Sequence, residues 1–243
     1  MKTFVFSDIH GCFDELTSLI RQLPLQPERD RMVFMGDYID RGPDSRRVIE
    51  QMMAWQQQYP HWVFLTGNHE DMMLDALHNG GRFYDAYYNY PNLWLAAGGK
   101  ATCRSYLSAN EQPREVTLEL ARDVIPETHR AWCASLPRYF EDDQYIYVHG
   151  GIKPGRTPGE TDPYDLIWLR DEFLHSSYDW GKKVVHGHTP TLSREPEVYA
   201  NRICIDTALC YAPGNKLTTV ELPAERFYSQ PWLDASRGDF SAI

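Results

Sequence analysis

Short apolar runs alternate with segments of helical periodicity along the first 77 residues of the chain. The runs are rich in β-branched and aromatic residues, as buried strands are, and the segments between them repeat apolar positions at helical spacing. Strands that alternate with helices favour a layered α/β fold. The predicted strands are Thr3–Phe6, Met32–Met35 and Trp62–Thr66, and the predicted helices are Phe13–Leu23, a helix that begins at Asp44 or Ser45, and Glu70–Leu77.

Residues 79–145 break this alternation. They contain a tyrosine-rich stretch, the pair Gly98-Gly99, and two predicted helices near Glu115–Val124 and Glu127–Ser135. We interpret the segment as a helical insertion or subdomain packed beside the sheet. A lid that shapes substrate choice is compatible with the same pattern.

Strand patterns return after residue 144. The turn residues Pro213-Gly214-Asn215 precede the last of these strands, so we expect the last two to form an antiparallel pair. The tail from about Pro223 is rich in proline, serine and charge, which favours a surface position, and we expect residues 1–243 to form a single domain. The returning strands are predicted over Tyr145–Val148, Lys183–Val185, Arg202–Ile205 and Leu217–Glu221.

Composition narrows the class of protein. The five cysteines are odd in number and lack C-x-x-C spacing, which disfavours a disulfide framework or a structural zinc site and favours a cytoplasmic location. The formal charge of −10 argues against nucleic-acid binding. No signal peptide is evident, and no apolar stretch approaches the roughly 18 residues of a membrane helix. The cysteines are Cys12, Cys103, Cys133, Cys204 and Cys210.

Polar strings follow each of the first three predicted strands. They are Asp8-Ile9-His10-Gly11, Gly36 to Gly42, and Gly67-Asn68-His69-Glu70. Asp8 and His10 are two residues apart, so in extended backbone both side chains point the same way. Asp37, in the second string, can bridge two cations with its two oxygens. Such donors at the carboxyl ends of parallel strands suit a two-metal phosphoester hydrolase.

Two further histidine strings lie downstream, His149-Gly150-Gly151 and His186-Gly187-His188-Thr189-Pro190. With the first three strings, they resemble the PPP family of metallophosphoesterases, in the branch of bacterial and phage Ser/Thr protein phosphatases. The resemblance covers residues 3–75 and 145–221. It implies the calcineurin-like metallophosphoesterase fold, in which two facing sheets form a β-sandwich flanked by helices.

The resemblance also implies which residues bind two divalent metal ions. One metal would be held by Asp8, His10 and Asp37, and the other by Asp37, Asn68, His149 and His188. Mixed oxygen and nitrogen donors suit Mn²⁺, which we expect, with Fe or Zn²⁺ as alternatives.

The same resemblance assigns the remaining site residues. Arg41 and Arg170 would grip phosphate oxygens, together with Asn68. His69 would protonate the leaving group and Asp40 would orient it, while a hydroxide that bridges the metals attacks phosphorus directly. The expected catalytic pair is therefore His69 and Asp40.

Three functions fit these residues. The main hypothesis is a protein phosphatase that acts on phosphoserine and phosphothreonine, with phosphotyrosine as a further substrate, so that its partners would be phosphoproteins or phosphopeptides. The alternative is a hydrolase of dinucleoside polyphosphates, such as diadenosine tetraphosphate, or of other small phosphates, with nucleotides as its partners. A catalytically inactive binding module is the third, and it would require a missing ligand.

We interpret three further features of the sequence as structural and not functional. Cys12 follows Gly11, but no C-x5-R phosphate loop follows it, so we do not assign it as a nucleophile. His186 lies two residues before the predicted ligand His188, and we interpret it as structural. The tyrosines of residues 84–90 could stack a nucleobase or fill a subdomain core, and we favour the core.

Overall fold

Two five-stranded sheets form the centre of the computed structural model, which describes residues 1–233. The first sheet has the order β10-β9-β1-β2-β3, and the second has the order β4-β5-β6-β8-β7. The strands are β1 (Thr3–Phe6), β2 (Arg31–Phe34), β3 (Val63–Phe64), β4 (Tyr139–Glu141), β5 (Tyr145–Val148), β6 (Lys183–His186), β7 (Glu197–Val198), β8 (Arg202–Cys204), β9 (Lys216–Leu222) and β10 (Arg226–Pro231).

Nine helices surround the sheets in the described part of the chain, and Leu95–Gly99 adds a π-helical turn. They are α1 (Phe13–Gln22), α2 (Ser45–Gln58), α3 (Asn68–Asn79), α4 (Arg82–Tyr88), α5 (Lys100–Ser105), α6 (Leu118–Val124), α7 (Glu127–Ser135), α8 (Asp165–Trp168) and α9 (Asp171–Leu174). None of the helices within residues 1–233 combines the length and apolarity needed to cross a membrane.

Strand alternation explains the layering. In β1, Val5 belongs to a cluster that includes Tyr147 and Val185 of the second sheet, so this cluster fills the space between the sheets. Phe4 and Phe6 point the other way, into a cluster shared with the surrounding helices. On the far side of the second sheet, a third cluster packs against α8 and α9. The predicted β-sandwich flanked by helices is therefore confirmed.

The predicted insertion, residues 79–145, contains α4 to α7, and α6 is shorter than expected and begins at Leu118. Its helices pack against α2 and α3. Trp94 and Trp132 from this segment belong to the same hydrophobic cluster as Phe4 of β1. The segment therefore shares its core with the first sheet.

Two predictions about the C-terminal strands were wrong. β8 lies between β6 and β7 in the second sheet, whereas β9 pairs with β1 and β10 in the first, so they are not a hairpin pair. The connection between them is longer than a hairpin loop and can cross between stacked sheets, which lie about 10 Å apart.

The tail from Pro223 was also misassigned in part. Residues 226–231 form β10, which pairs antiparallel with β9 in the register Arg226–Glu221. The aromatic pair Phe227-Tyr228 is the only strand-like signal in β10, and the proline, serine and charged residues around it hid the strand. The rest of the predicted surface tail, 234–243, lies outside the described residues.

Candidate metal centre

The side chains predicted to bind metals come together at one edge of the sandwich. All of them are buried, and none is more than 5% exposed. They follow the carboxyl ends of parallel strands, where ligands bind in sheets of this kind. Asp8 and His10 follow β1, Asp37 follows β2, Asn68 and His69 begin α3 after β3, His149 follows β5 and His188 follows β6.

Asp37 lies at the centre of this group. Its Oδ2 is 3.6 Å from His10 Nε2 and 3.9 Å from His69 Nε2, and its Oδ1 is 3.4 Å from His149 Nε2. The two carboxylate oxygens therefore face different histidines. This is the arrangement that a carboxylate shared by two cations requires.

Asn68 lies between two imidazole rings. Its Oδ1 is 2.9 Å from His149 Nε2 and 2.9 Å from His188 Nδ1. Asn68, His149 and His188 thus point donor atoms at one small volume beside Asp37. Their role as ligands of the second metal stays a prediction.

Asp8 and His10 differ from the expected first set. Ligand atoms of Asp8, Asp37 and His149 lie within 4.8 Å of one another, and so do those of His10, Asp37 and His69. Both Asp8 and His10 have left-handed backbone, with φ of 52° and 46°, rather than the extended geometry we assumed. Their side chains still converge on Asp37, but the left-handed backbone directs them there and not the alternation of an extended strand.

Three buried acids crowd the centre, and their pKa shifts reflect burial and mutual repulsion. Burial, followed by repulsion from Asp37, raises the pKa of Asp8. Burial and the neighbouring Asp8 raise the pKa of Asp206 well above its ordinary value. Burial opposes ionisation of Asp37 as well, but His149 and His69 hold its pKa well below the usual range. Clustered buried carboxylates of this kind are stabilised by cations.

The histidines carry the donor chemistry that divalent metals need. Burial and the nearby Arg41 lower the pKa of His10, and burial and His149 lower the pKa of His188. Neutral imidazoles can donate a lone pair to a metal. His149 differs from these two histidines: burial opposes its positive charge, but the neighbouring Asp37 raises its pKa to about 9. The residues present therefore fit two divalent cations.

Arg41 lies directly over this centre. Its Nη1 is 2.5 Å from His10 Nε2, its Nη2 is 3.0 Å from His69 Nε2, and its guanidinium stacks 4.8 Å from the ring of Tyr211. Arg170 is exposed and donates to Thr189 Oγ1 at 3.3 Å. The two guanidinium groups thus approach the centre from different elements. Tyr211 was not predicted, because it lies in a 3₁₀ turn without a motif.

His69 and Asp40 form a buried pair. His69 Nδ1 is 2.7 Å from Asp40 Oδ2, which leaves Nε2 facing the centre. Trp94 Nε1 donates to Asp40 Oδ2 at 3.0 Å, and Thr102 Oγ1 donates to Asp40 Oδ1 at 2.6 Å. The helical insertion therefore positions Asp40 directly. No motif in the sequence pointed to Thr102.

Glu70 is a second positioning residue that we did not predict. It accepts hydrogen bonds from the backbone amides of Asp37 at 2.9 Å, Tyr38 at 2.8 Å and Gly67 at 2.9 Å. Burial, followed by repulsion from Asp37, raises the pKa of Glu70 to about 8. The only available signal was its place directly after Asn68-His69.

The loops of the centre are held in uncommon backbone conformations. Besides Asp8 and His10, four residues have left-handed φ values between 54° and 74°, namely Asp37, Asp40, Arg41 and His188. Gly187 lies close against the loop that follows β1, and a Cβ at this position would collide with Asp8 Oδ2. Strain of this kind clusters at functional sites.

Two residues near the centre take structural positions. The ring of His186 packs edge-on against Phe173 at 4.9 Å, and burial lowers its pKa to about 3. Cys12 is buried, with its Sγ 3.2 Å from Cys210 Sγ, and burial raises its pKa well above the ordinary value. A thiol in this state is a poor nucleophile.

A family model of calcineurin-like phosphoesterases matches residues 1–217. The chain belongs to this family, and its resemblance to PPP-like metallophosphoesterases is confirmed. The protein is therefore a hydrolase of the metallophosphoesterase class. Family membership implies divalent metal ions, and the buried histidine and aspartate groups could bind them.

Relatives with established names point to a narrower group. The chain is 28% identical over 251 residues to the asymmetrical bis(5'-nucleosyl)-tetraphosphatase PrpE of Anoxybacillus flavithermus, an alignment that covers 93% of each chain. A solved structure assigned as a diadenosine tetraphosphatase has a TM-score of 0.68 at 18% identity and covers 95% of this chain and 93% of its own. A serine/threonine phosphatase from Saccharomyces cerevisiae has a TM-score of 0.59 at 15% identity, with 96% and 81% covered.

These relatives overturn the main functional hypothesis. We expected a protein phosphatase with phosphoprotein or phosphopeptide partners, but the full-length relatives are named for dinucleoside tetraphosphates. The likeness to the yeast phosphatase shows the fold alone. The error has a physical cause, since the same buried centre can serve any phosphate ester.

Proposed function

We propose that this protein is a metal-dependent hydrolase of dinucleoside polyphosphates, with bis(5'-nucleosyl) tetraphosphates as its substrates. The observation that carries the proposal is the similarity to bis(5'-nucleosyl)-tetraphosphatases along nearly the whole of both chains. The buried centre supports it, because every residue type needed for phosphate ester hydrolysis is present there. The nucleotide alternative from the sequence thereby replaces the phosphoprotein hypothesis.

In this proposal, two divalent metal ions are held by the buried donors. Asp8, His10 and Asp37 bind one metal, and Asp37, Asn68, His149 and His188 bind the other. Mn²⁺ is the expected ion, with Fe or Zn²⁺ as alternatives. When bound, such ions neutralise phosphate charge and lower the pKa of water for in-line attack.

The arginines and the Asn68 amide bind the phosphate chain. Arg41 already contacts two site histidines, so a phosphate that enters the centre meets its guanidinium. Arg170 extends the cationic surface toward solvent, where further phosphates of the bridge can reach it. Planar guanidinium groups pair with phosphate oxygens in a bidentate manner.

His69 donates a proton to the leaving phosphate from Nε2. Asp40 accepts the hydrogen bond of Nδ1 and so fixes the ring orientation, while Trp94 and Thr102 fix Asp40. A phosphate leaving group has a pKa of about 6, far below that of an alkoxide. Proton donation therefore contributes less here than it would for a serine phosphate.

The test is product analysis with the full-length protein, Mn²⁺ and diadenosine tetraphosphate. Asymmetrical cleavage of four phosphates gives AMP and ATP, whereas symmetrical cleavage gives two ADP. We expect AMP and ATP, and no products after chelation. A protein that cleaves a simple phosphate ester but leaves dinucleoside polyphosphates intact would contradict the proposal. A cytoplasmic location, expected from the cysteine pattern, also stays a prediction.

A further inference from the structure

A cluster of aromatic rings beside the metal centre is partly exposed, because two of its members are exposed and two are half-buried. We call it the aromatic platform. It consists of Tyr87 and Tyr88 of α4, Tyr164 directly before α8, and Trp168 at the end of α8. Tyr87 is 64% exposed and Tyr88 is 41% exposed, although Tyr84 of the same helix is buried. The core interpretation of these tyrosines therefore holds for Tyr84 but not for Tyr87 and Tyr88.

The rings hold one another in place. Tyr164 stacks on Trp168 with 5.8 Å between centroids, and Tyr87 lies 5.6 Å from Tyr164. The hydroxyls of Tyr88 and Tyr164 are 2.9 Å apart. Trp168 Nε1 donates to the hydroxyl of the buried Tyr84 at 3.1 Å. A platform fixed in this way loses little conformational freedom when a planar ligand stacks on it.

The platform is continuous with the metal centre. The ring of Trp168 meets His188 edge-on, with 5.6 Å between centroids, and Tyr88 lies 5.4 Å from Trp168. Two ring contacts thus lead from a predicted metal ligand to an exposed tyrosine. Arg170 follows Trp168 by two residues and bonds Thr189, the neighbour of His188. A cationic group and an aromatic surface therefore leave the centre on the same side.

We propose that the solvent-facing rings of Tyr87 and Tyr88 stack one nucleobase of the substrate while Arg170 binds the phosphate bridge. This proposal rests on the proposed function. Its occupant is a nucleobase because the proposed substrates join a phosphate bridge to flat bases, and the rings adjoin the centre where that bridge would bind. Every base has a face that stacks on an aromatic side chain, so the platform would tolerate different bases.

The test measures base recognition without catalysis. Calorimetry on the full-length, Mn²⁺-loaded protein compares AMP with ribose 5-phosphate, which carries the same sugar and phosphate but no base. We expect tighter binding of AMP, and the double variant Tyr87→Ala/Tyr88→Ala should weaken AMP by about 5- to 150-fold. Binding of ribose 5-phosphate should not change.

Two matched variants complete the design. Tyr87→Phe/Tyr88→Phe keeps both rings and should retain AMP binding. Tyr178→Ala removes a tyrosine of similar exposure, 44%, that packs on Trp180 instead of the platform, and should have no effect. Equal affinity of the wild type for AMP and ribose 5-phosphate would overturn the proposal, as would unchanged AMP binding in the alanine double variant. If AMP binding is unchanged in that variant, the exposed rings have another occupant, such as a protein partner.

Parallel kinetics separate this proposal from the function on which it rests. If diadenosine tetraphosphate is cleaved, the alanine double variant should raise its KM by a similar factor with little change in kcat. If that substrate is not cleaved but AMP binding still depends on the two tyrosines, the base platform stands and the proposed substrate is wrong. If cleavage is efficient and KM does not respond, the substrate is right and the platform is wrong.

Discussion

The metal centre and the aromatic platform adjoin each other but differ in almost every physical property. The centre is buried, charged and built from loops with left-handed backbone, whereas the platform is partly exposed, uncharged and carried by α4, α8 and the residue that precedes α8. Trp168 contacts both regions. If the two proposals hold, reaction chemistry and substrate choice are carried by separate residues. Kinetic variants can therefore divide the two.

The largest effect should follow loss of the shared carboxylate. Asp37→Ala removes the group that faces His10, His69 and His149, so both proposed cations would lose a ligand. Because loss of a partner outside the ligand shell already costs 10–100-fold, we expect well over 100-fold loss of kcat on diadenosine tetraphosphate. Steady-state kinetics and metal content by elemental analysis measure this.

Metal removal gives the matching control for that variant. Chelation should abolish wild-type activity, and Mn²⁺ should restore it in the wild type but not in Asp37→Ala. Asp123→Asn, on the exposed side of α6, should behave as the wild type. Full activity of the chelator-stripped protein would show that the reaction needs no metal, and would contradict the assignment of a metal centre.

The next effect concerns proton donation at the centre. His69→Asn should lower kcat, and because the leaving phosphate needs little protonation, we expect a loss near the lower end of the general-acid range, about 10². KM should change little, in contrast to the platform variants. The measurement is kcat and KM on diadenosine tetraphosphate, with metal content as control. A rise in KM without loss of kcat would place His69 in substrate binding.

A smaller effect is expected from the support beneath the centre. Glu70→Gln replaces one acceptor oxygen by an N–H donor, so at least one buried backbone amide near Asp37 loses its partner. We expect destabilisation of about 1–3 kcal/mol and weaker Mn²⁺ binding by 10–100-fold. Urea unfolding and metal titration measure the two losses. Unchanged metal affinity would show that Glu70 supports folding alone.

The smallest effect tests backbone strain near the centre. Ala208 has a left-handed φ of 62°, a conformation that disfavours residues with a Cβ. Ala208→Gly should stabilise the protein by up to about 1 kcal/mol, because relief of strain outweighs the added flexibility of glycine. Chemical denaturation measures it, and activity should not change. A destabilised glycine variant would mean that the loop does not store this strain.

Much of the fold could be predicted because periodicity reports burial directly. The apolar runs at Thr3–Phe6 and Tyr145–Val148 match β1 and β5 residue for residue. The strand β10 was missed because its aromatic pair, Phe227-Tyr228, is surrounded by proline, serine and charged residues, and its pairing partner is decided by backbone hydrogen bonds. The sheet membership of β9 was misassigned for a related reason, since a turn motif shows that the chain bends but not which strand it then meets.

Sequence motifs were enough to identify the family and to predict which residues meet in the buried centre, because short motifs at strand ends carry that chemistry in their own spacing. Tertiary structure alone decided what surrounds them. Glu70 bonds amides from two separate loops, Trp94 and Thr102 reach Asp40 across more than fifty positions, and Trp168 meets both His188 and Tyr88. Contacts between distant segments leave no local pattern, because they depend on packing rather than on periodicity. The motifs therefore indicated the class of hydrolase but not its substrate.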